Sequence, residues 1–157
     1  MTHPLFGKLE HLYICAGVGR GETLLTAFDQ ALRNAGVGDY NLLKVSSIVP
    51  PGARVSQTIE VPRGSLLPIA YGSISSTDKG EVISAAVSVA LPQDEKHVGV
   101  IMEFSGYTPE EKAREIVRKM AIEAMRHRGI AIREIIVKSA SALIEGPTSV
   151  FAGVALW

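Results

Sequence analysis

Asn41-Leu42-Leu43-Lys44-Val45-Ser46-Ser47-Ile48-Val49-Pro50-Pro51-Gly52 is the stretch whose reading decides the fold. Leu42, Leu43, Val45, Ile48 and Val49 are apolar and partly β-branched, so they fit a pleated, buried surface and predict a strand. Pro50 and Pro51 end it. Neither offers an N–H to a ladder, both fix φ, and Pro50 pushes Val49 towards an extended conformation. Two adjacent serines therefore stand where a strand runs into a rigid Pro-Pro-Gly exit.

A hydroxyl held there can be pressed against the carbonyl that precedes it. An intramolecular N→O acyl shift needs that geometry. The Ser47 hydroxyl would attack the Ser46 carbonyl and turn the peptide bond into an ester. β-Elimination would then free the Ser46 carboxylate and leave dehydroalanine, which hydrolyses to a pyruvoyl group. The dipeptide alone does not decide the matter, because two hydroxyls at a strand end also satisfy loose backbone groups.

Working outward, 157 residues suit one domain, 1–157, with a real core. Lysine and arginine balance aspartate and glutamate at 16 each, so no global field points to nucleic acid or an anionic membrane. No apolar run approaches the ~20 residues that span a bilayer. Met1-Thr2-His3-Pro4 lacks the basic and apolar regions of a secretory signal, so a cytoplasmic location is expected. Cys15 is the one cysteine, which excludes an internal disulfide and a multi-cysteine zinc site; it reads as a buried apolar residue. No metal is expected.

His11 to Ala16 predicts the first strand, and Gly17-Val18-Gly19-Arg20-Gly21-Glu22 a glycine-rich turn into a helix. Its G-x-G-x-G spacing is not the dinucleotide fingerprint, and Ser46-Ser47 stand where that fingerprint needs an acid. The helix runs from about Glu22 to Ala35, with Gly36 past its end. Asp29 interrupts the edge of its apolar stripe. It is either a solvated carboxylate or one held near apolar surface, suited to a guanidinium.

Val55 to Val61 reads as an extended segment. Leu66 to Ser75, Val82 to Leu91 and His97 to Phe104 read as strands. Alternation in the last puts Val100, Met102 and Phe104 on one face and Ile101 and Glu103 on the other. Glu103 either faces water at a strand end or is buried; burial would raise its pKa and make it a proton donor. Thr108-Pro109-Glu110-Glu111 predicts a capping box with proline at the first helical position, and Ala113, Ile116, Val117, Met120, Ala121, Ala124 and Met125 its buried stripe. Ile130 to Lys138 and Ser149 to Trp157 supply two final strands. Two helices among many strands make an α+β layered architecture.

The serine stretch resembles the self-cleavage site of the pyruvoyl-dependent arginine decarboxylases. Further blocks resemble the same family in order: Gly21-Glu22-Thr23, Ala27 to Leu32, Ala70-Tyr71-Gly72, Gly80 to Ala86, Ile101-Met102-Glu103 and Ala155-Leu156-Trp157. The Ser73–Lys79 loop and Phe104-Ser105 match less well. The resemblance implies a four-layer αββα sandwich, a homotrimer with sites between protomers, and cleavage between Ser46 and Ser47 into chains 1–46 and 47–157. It further implies a covalent pyruvoyl group from Ser47 in place of PLP, and a Schiff base with L-arginine that loses CO2 to give agmatine. By the same resemblance Glu103 is the proton donor, Asp29 binds the guanidinium, and Asn41 supports the scissile region. The alternatives are a pyruvoyl-dependent decarboxylase of another amino acid, or an unprocessed, non-catalytic relative.

Overall fold

A computed structural model of the chain describes residues 7–157, so the signal-peptide reading of Met1 to Pro4 lies outside the described residues. In chain order the elements are β1 (His11–Arg20), α1 (Leu24–Ala35), β2 (Asn41–Lys44), β3 (Ile48–Val49), β4 (Arg54–Val55), β5 (Leu66–Ser76) and β6 (Val82–Pro92). β7 (Gly99–Gly106), α2 (Glu110–His127), β8 (Ile132–Leu143) and β9 (Thr148–Leu156) follow. The protein is α+β: one sheet has the order β2-β5-β9-β1-β4, a second the order β3-β7-β6-β8.

The predicted strand over Leu42 to Val49 is in fact two. β2 pairs in parallel with β5, from Asn41 opposite Leu66 to Lys44 opposite Ile69. β3 pairs antiparallel with β7, Ile48 opposite Val100. The break comes before the serines rather than at the prolines. A strand in one sheet cannot also satisfy a ladder in another, so residues 45–47 leave regular pairing where the chain crosses between sheets.

Gly17 to Arg20 is a second correction, since these residues continue β1 instead of turning. Their glycines serve close packing. A Cβ on Gly19 would lie 2.1 Å from the Ala27 carbonyl oxygen, and one on Gly17 would lie 2.4 Å from that of Ala31. Bare backbone at both positions lets α1 settle on β1. Thr23 caps α1, its hydroxyl accepting from the Thr26 N–H, and Gly36 ends it at φ 89°, where only glycine is unstrained.

α2 starts differently from its predicted capping box. Pro109 occupies the N-cap with no side-chain cap bond. The stripe itself holds, with Ala113, Val117, Ala121, Ala124 and Met125 buried against the second sheet. The extended segment over Val55 to Val61 reduces to Arg54–Val55, while β1, β5, β6, β7 and β8 run one to five residues beyond their predicted C-terminal ends and β9 stops one residue short of its own.

The sheets face each other across a core that includes Leu12, Ile83, Val87, Ile101, Val150 and Val154. Ser84 and Ser88, buried on the other face of β6, donate to the Thr108 and Val117 carbonyls and so leave no polar group unpaired. Cys15 is buried as expected. Desolvation pushes its thiol up to about 12, despite Lys138 nearby and its own bond to the Gly153 carbonyl.

Candidate functional site

The crossing between sheets is tethered at both ends. The Val45 N–H donates to the Ile69 carbonyl in the first sheet (3.0 Å), and the Ser47 carbonyl accepts from the Ile101 N–H in the second (2.8 Å). The peptide between Ser46 and Ser47 is in none of the backbone hydrogen bonds among the described residues. It bridges the two sheets, Ser46 exposed and Ser47 half-buried.

The Ser47 hydroxyl donates to the Glu103 carboxylate at 3.4 Å, across 56 residues of sequence. The β7 alternation is as predicted. Met102 and Phe104 pack on the α2 side, while Ile101 lies in the core between the sheets and Glu103 points the same way. Gly72 on β5 faces Glu103, and a Cβ there would lie 3.4 Å from the glutamate Cβ. Two residues on, Ser105 Oγ donates to the Ser73 carbonyl at 3.0 Å and fixes β7 over β5 beside the carboxyl.

Burial pushes the Glu103 carboxyl above its usual range. The Lys44 charge and the Ser47 hydroxyl oppose that rise without cancelling it. Such a group keeps its proton closer to neutral pH than a solvated glutamate and can deliver it to a reacting carbon beside residue 47. Serine at position 47, a peptide held free of the ladders and an acid 3.4 Å away all fit a pyruvoyl group formed there.

The structure does not bring Asp29 to this pair. Asp29 is exposed on α1, in a cavity of about 380 Å³ with Arg20, Gly21, Glu22, Thr23, Thr26 and Gln30. α1 lies on the outer face of the first sheet and Glu103 on its inner side. Asn41 is also apart from the serines. Its side-chain amide donates to the Gly64 carbonyl at 2.7 Å and its backbone N–H to that of Ser65, which fastens a turn to the start of β2.

Sequence reasoning missed Lys44, Gly72 and Ser105. The alternation Leu42, Lys44 would have put that lysine on a defined face of the sheet. Nothing local could have paired Gly72 with Glu103, because their contact is made between sheets. Among the described residues no group of three or more His, Cys, Asp or Glu is placed to hold a metal ion. No helix among them is long and apolar enough to cross a membrane.

Residues 11–150 match the family model of pyruvoyl-dependent arginine decarboxylase. The chain is 44% identical over 155 residues to the pyruvoyl-dependent arginine decarboxylase of Methanococcus aeolicus, covering 99% of this chain and 94% of that protein. It is 41% identical to the protein of that name from Methanocaldococcus jannaschii, with the same coverage. The Thermococcus kodakarensis protein of that name is 40% identical over 134 residues, 85% of each chain. A solved structure of pyruvoyl-dependent histidine decarboxylase at pH 8 shares the fold, with TM-score 0.51 and 14% identity over 86% of this chain. The chain spans 62% of the length of that structure's chain.

Proposed function

This chain belongs to the pyruvoyl-dependent arginine decarboxylase family, and from that premise we propose that it removes CO2 from L-arginine, releasing agmatine, at a pyruvoyl group made from Ser47. The observation that carries the reading is the Ser47 hydroxyl at 3.4 Å from the half-buried Glu103, beside a peptide that is in none of the backbone hydrogen bonds among the described residues. Maturation is intramolecular. The Ser47 oxygen adds to the Ser46 carbonyl carbon, the C–N bond breaks, and the hydroxyl proton passes to the released nitrogen. Elimination then removes the Cα proton, breaks the Cβ–O bond of the ester and frees the Ser46 carboxylate, and the dehydroalanine left at position 47 takes up water and loses its nitrogen as ammonia, giving chain 1–46 and a pyruvoyl-capped chain 47–157. Tethers at Val45 and Ser47 hold the reacting atoms together, which is how an intramolecular step gains over a bimolecular one.

Once formed, the pyruvoyl carbonyl supplies the electron sink that PLP supplies elsewhere, accepting the charge left when CO2 departs. The remaining tasks belong to side chains. Glu103, kept protonated by burial, hands its proton to the carbon that lost CO2. Asp29 holds the guanidinium with charge-assisted hydrogen bonds.

We further infer a four-layer αββα sandwich assembled as a homotrimer, each site completed by Asp29 from a neighbouring copy. Three observations support this: Asp29 and Glu103 lie on opposite sides of the first sheet, and Leu25, one turn before Asp29, is 76% exposed. Leu66 on β5, next to the edge strand β2, is likewise 62% exposed. A cytoplasmic location is in keeping with the lone, unpaired Cys15. The test is denaturing mass spectrometry together with release of labelled CO2 from arginine. A protein that stays full length on long incubation, or that leaves arginine untouched, refutes the proposal.

A further inference from the structure

Lys44 has no part in the chemistry above, yet its setting is unusual for a surface lysine. It ends β2 two residues after Leu42, on the face that packs towards α1. Its ammonium lies 4.6 Å from the centre of the Tyr71 ring. That ring is fixed in turn, tilted on Phe151 at 5.2 Å, and Phe151 meets Phe28 edge-on at 6.4 Å. Lys44 is in none of the ion pairs among the described residues.

β2 stops opposite Ile69, so from Tyr71 onward that edge of β5 has no strand beside it. Tyr71 carries Lys44 on the α1 side of this open edge, and Gly72 carries Glu103 on the other. Tyr71 and Gly72 are adjacent, so the two charged groups flank the same part of this edge from the two faces of the sheet, and the Lys44 charge favours the ionised Glu103 carboxyl. Lys44 is also three residues from Ser47.

We propose that Lys44 is a positioning residue: its uncompensated charge sets which end of the substrate enters against residue 47 and drives the product out. This rests on the arginine decarboxylase reading. Arginine has a carboxylate at its α end and a guanidinium at the other. A cation beside this edge attracts the first and repels the second. After CO2 leaves, the α end keeps only its amine, and agmatine carries a cation at each end. The charge that drew the substrate in now repels the product. A tight ion pair would instead hold the carboxylate in the ground state and slow its departure. An ammonium resting on an aromatic face acts over distance and avoids that grip.

The test compares fully processed wild type, Lys44→Met and Lys44→Arg by their KM for arginine and competitive Ki for agmatine. The guanidinium is common to both ligands, so its contribution cancels in the ratio KM/Ki. In Lys44→Met, KM should rise and Ki should fall, each about two- to fivefold for a charge at an exposed site, shifting the ratio about tenfold. Lys44→Arg should restore it. A residue that merely shaped the strand would alter processing or kcat and leave the ratio where it was. An unchanged ratio in processed Lys44→Met therefore overturns the proposal. Should that variant fail to mature, salt decides with the wild type: from about 0.05 to 0.5 M, screening must raise KM/Ki, and a flat ratio refutes the idea. Wild-type CO2 release from arginine is scored separately, so loss of the underlying function is distinguished from loss of the Lys44 effect; without it both fall.

Discussion

Replacing Glu103 by glutamine separates the roles this carboxyl plays. Glutamine keeps the volume, the place in β7 and an oxygen that can accept from the Ser47 hydroxyl. The lost interaction is small. At 3.4 Å, with the side chain half-exposed, the Ser47–Glu103 hydrogen bond is worth no more than about 1 kcal/mol, roughly fivefold in the rate of maturation, and it is gone once the Ser47 hydroxyl has left. A positioned general acid contributes typically 10²–10⁴-fold. The two explanations therefore predict different numbers. If Glu103 delivers the proton, kcat for arginine should fall by about 10²–10⁴ in protein that mass spectrometry shows fully cleaved, while borohydride still couples labelled arginine to the 47–157 chain. A loss of fivefold or less would be no more than one altered hydrogen bond costs and would remove Glu103 from the chemistry.

Stability gives an independent check on the same residue. The folded carboxyl has a raised pKa, so the folded state binds its proton more tightly than the unfolded state. Its contribution favours the folded state below the unfolded pKa and is lost as pH rises through the folded one. Glu103→Gln carries no such dependence. The variant should gain stability relative to wild type as pH rises through that window, and the two should converge towards wild type's favour below it. A denaturant midpoint difference that stays flat with pH, or runs the other way, would show that burial does not raise this pKa.

Ser47→Ala should remain a single full-length chain, because alanine has no hydroxyl to attack the Ser46 carbonyl; cleavage at the wild-type rate would end the acyl-shift mechanism. Asp29→Asn should mature normally and raise KM for arginine on the order of ten- to a hundredfold, the worth of a charge-assisted hydrogen bond. Co-assembled with Glu103→Gln, it should recover activity, since one kind of site then has both residues; no recovery would place the site within one chain. Gly19→Ala pushes a methyl to 2.1 Å from the Ala27 carbonyl oxygen, so α1 must lift. Overpacking against backbone should cost about 1–3 kcal/mol, lowering Tm by roughly 2–12 °C, and an unshifted melt would show that the close approach of α1 to β1 is wrong.

The sequence by itself determined the elements whose signals are local. The α1 stripe from Ala27 to Ala35 and its Gly36 stop (though not Leu24 and Leu25, which read as part of that buried face and are exposed), the alternation that turns Glu103 away from Met102 and Phe104, and the Pro-Pro exit after the serines were legible, because each is set by neighbours a few residues apart. Tertiary structure alone decided the rest. Hydrophobic pattern does not say which sheet a strand joins, so Leu42 to Val49 read as one strand where two sheets share it. Gly17 and Gly19 looked like a turn because the helix that needs their bare backbone packs from the outside. Ser47 and Glu103 are 56 residues apart and meet because β3 and β7 pair beneath the crossing. The setting of Lys44 is likewise tertiary, because β2 ends opposite Ile69 and leaves its charge over the Tyr71 ring beside the open edge of β5.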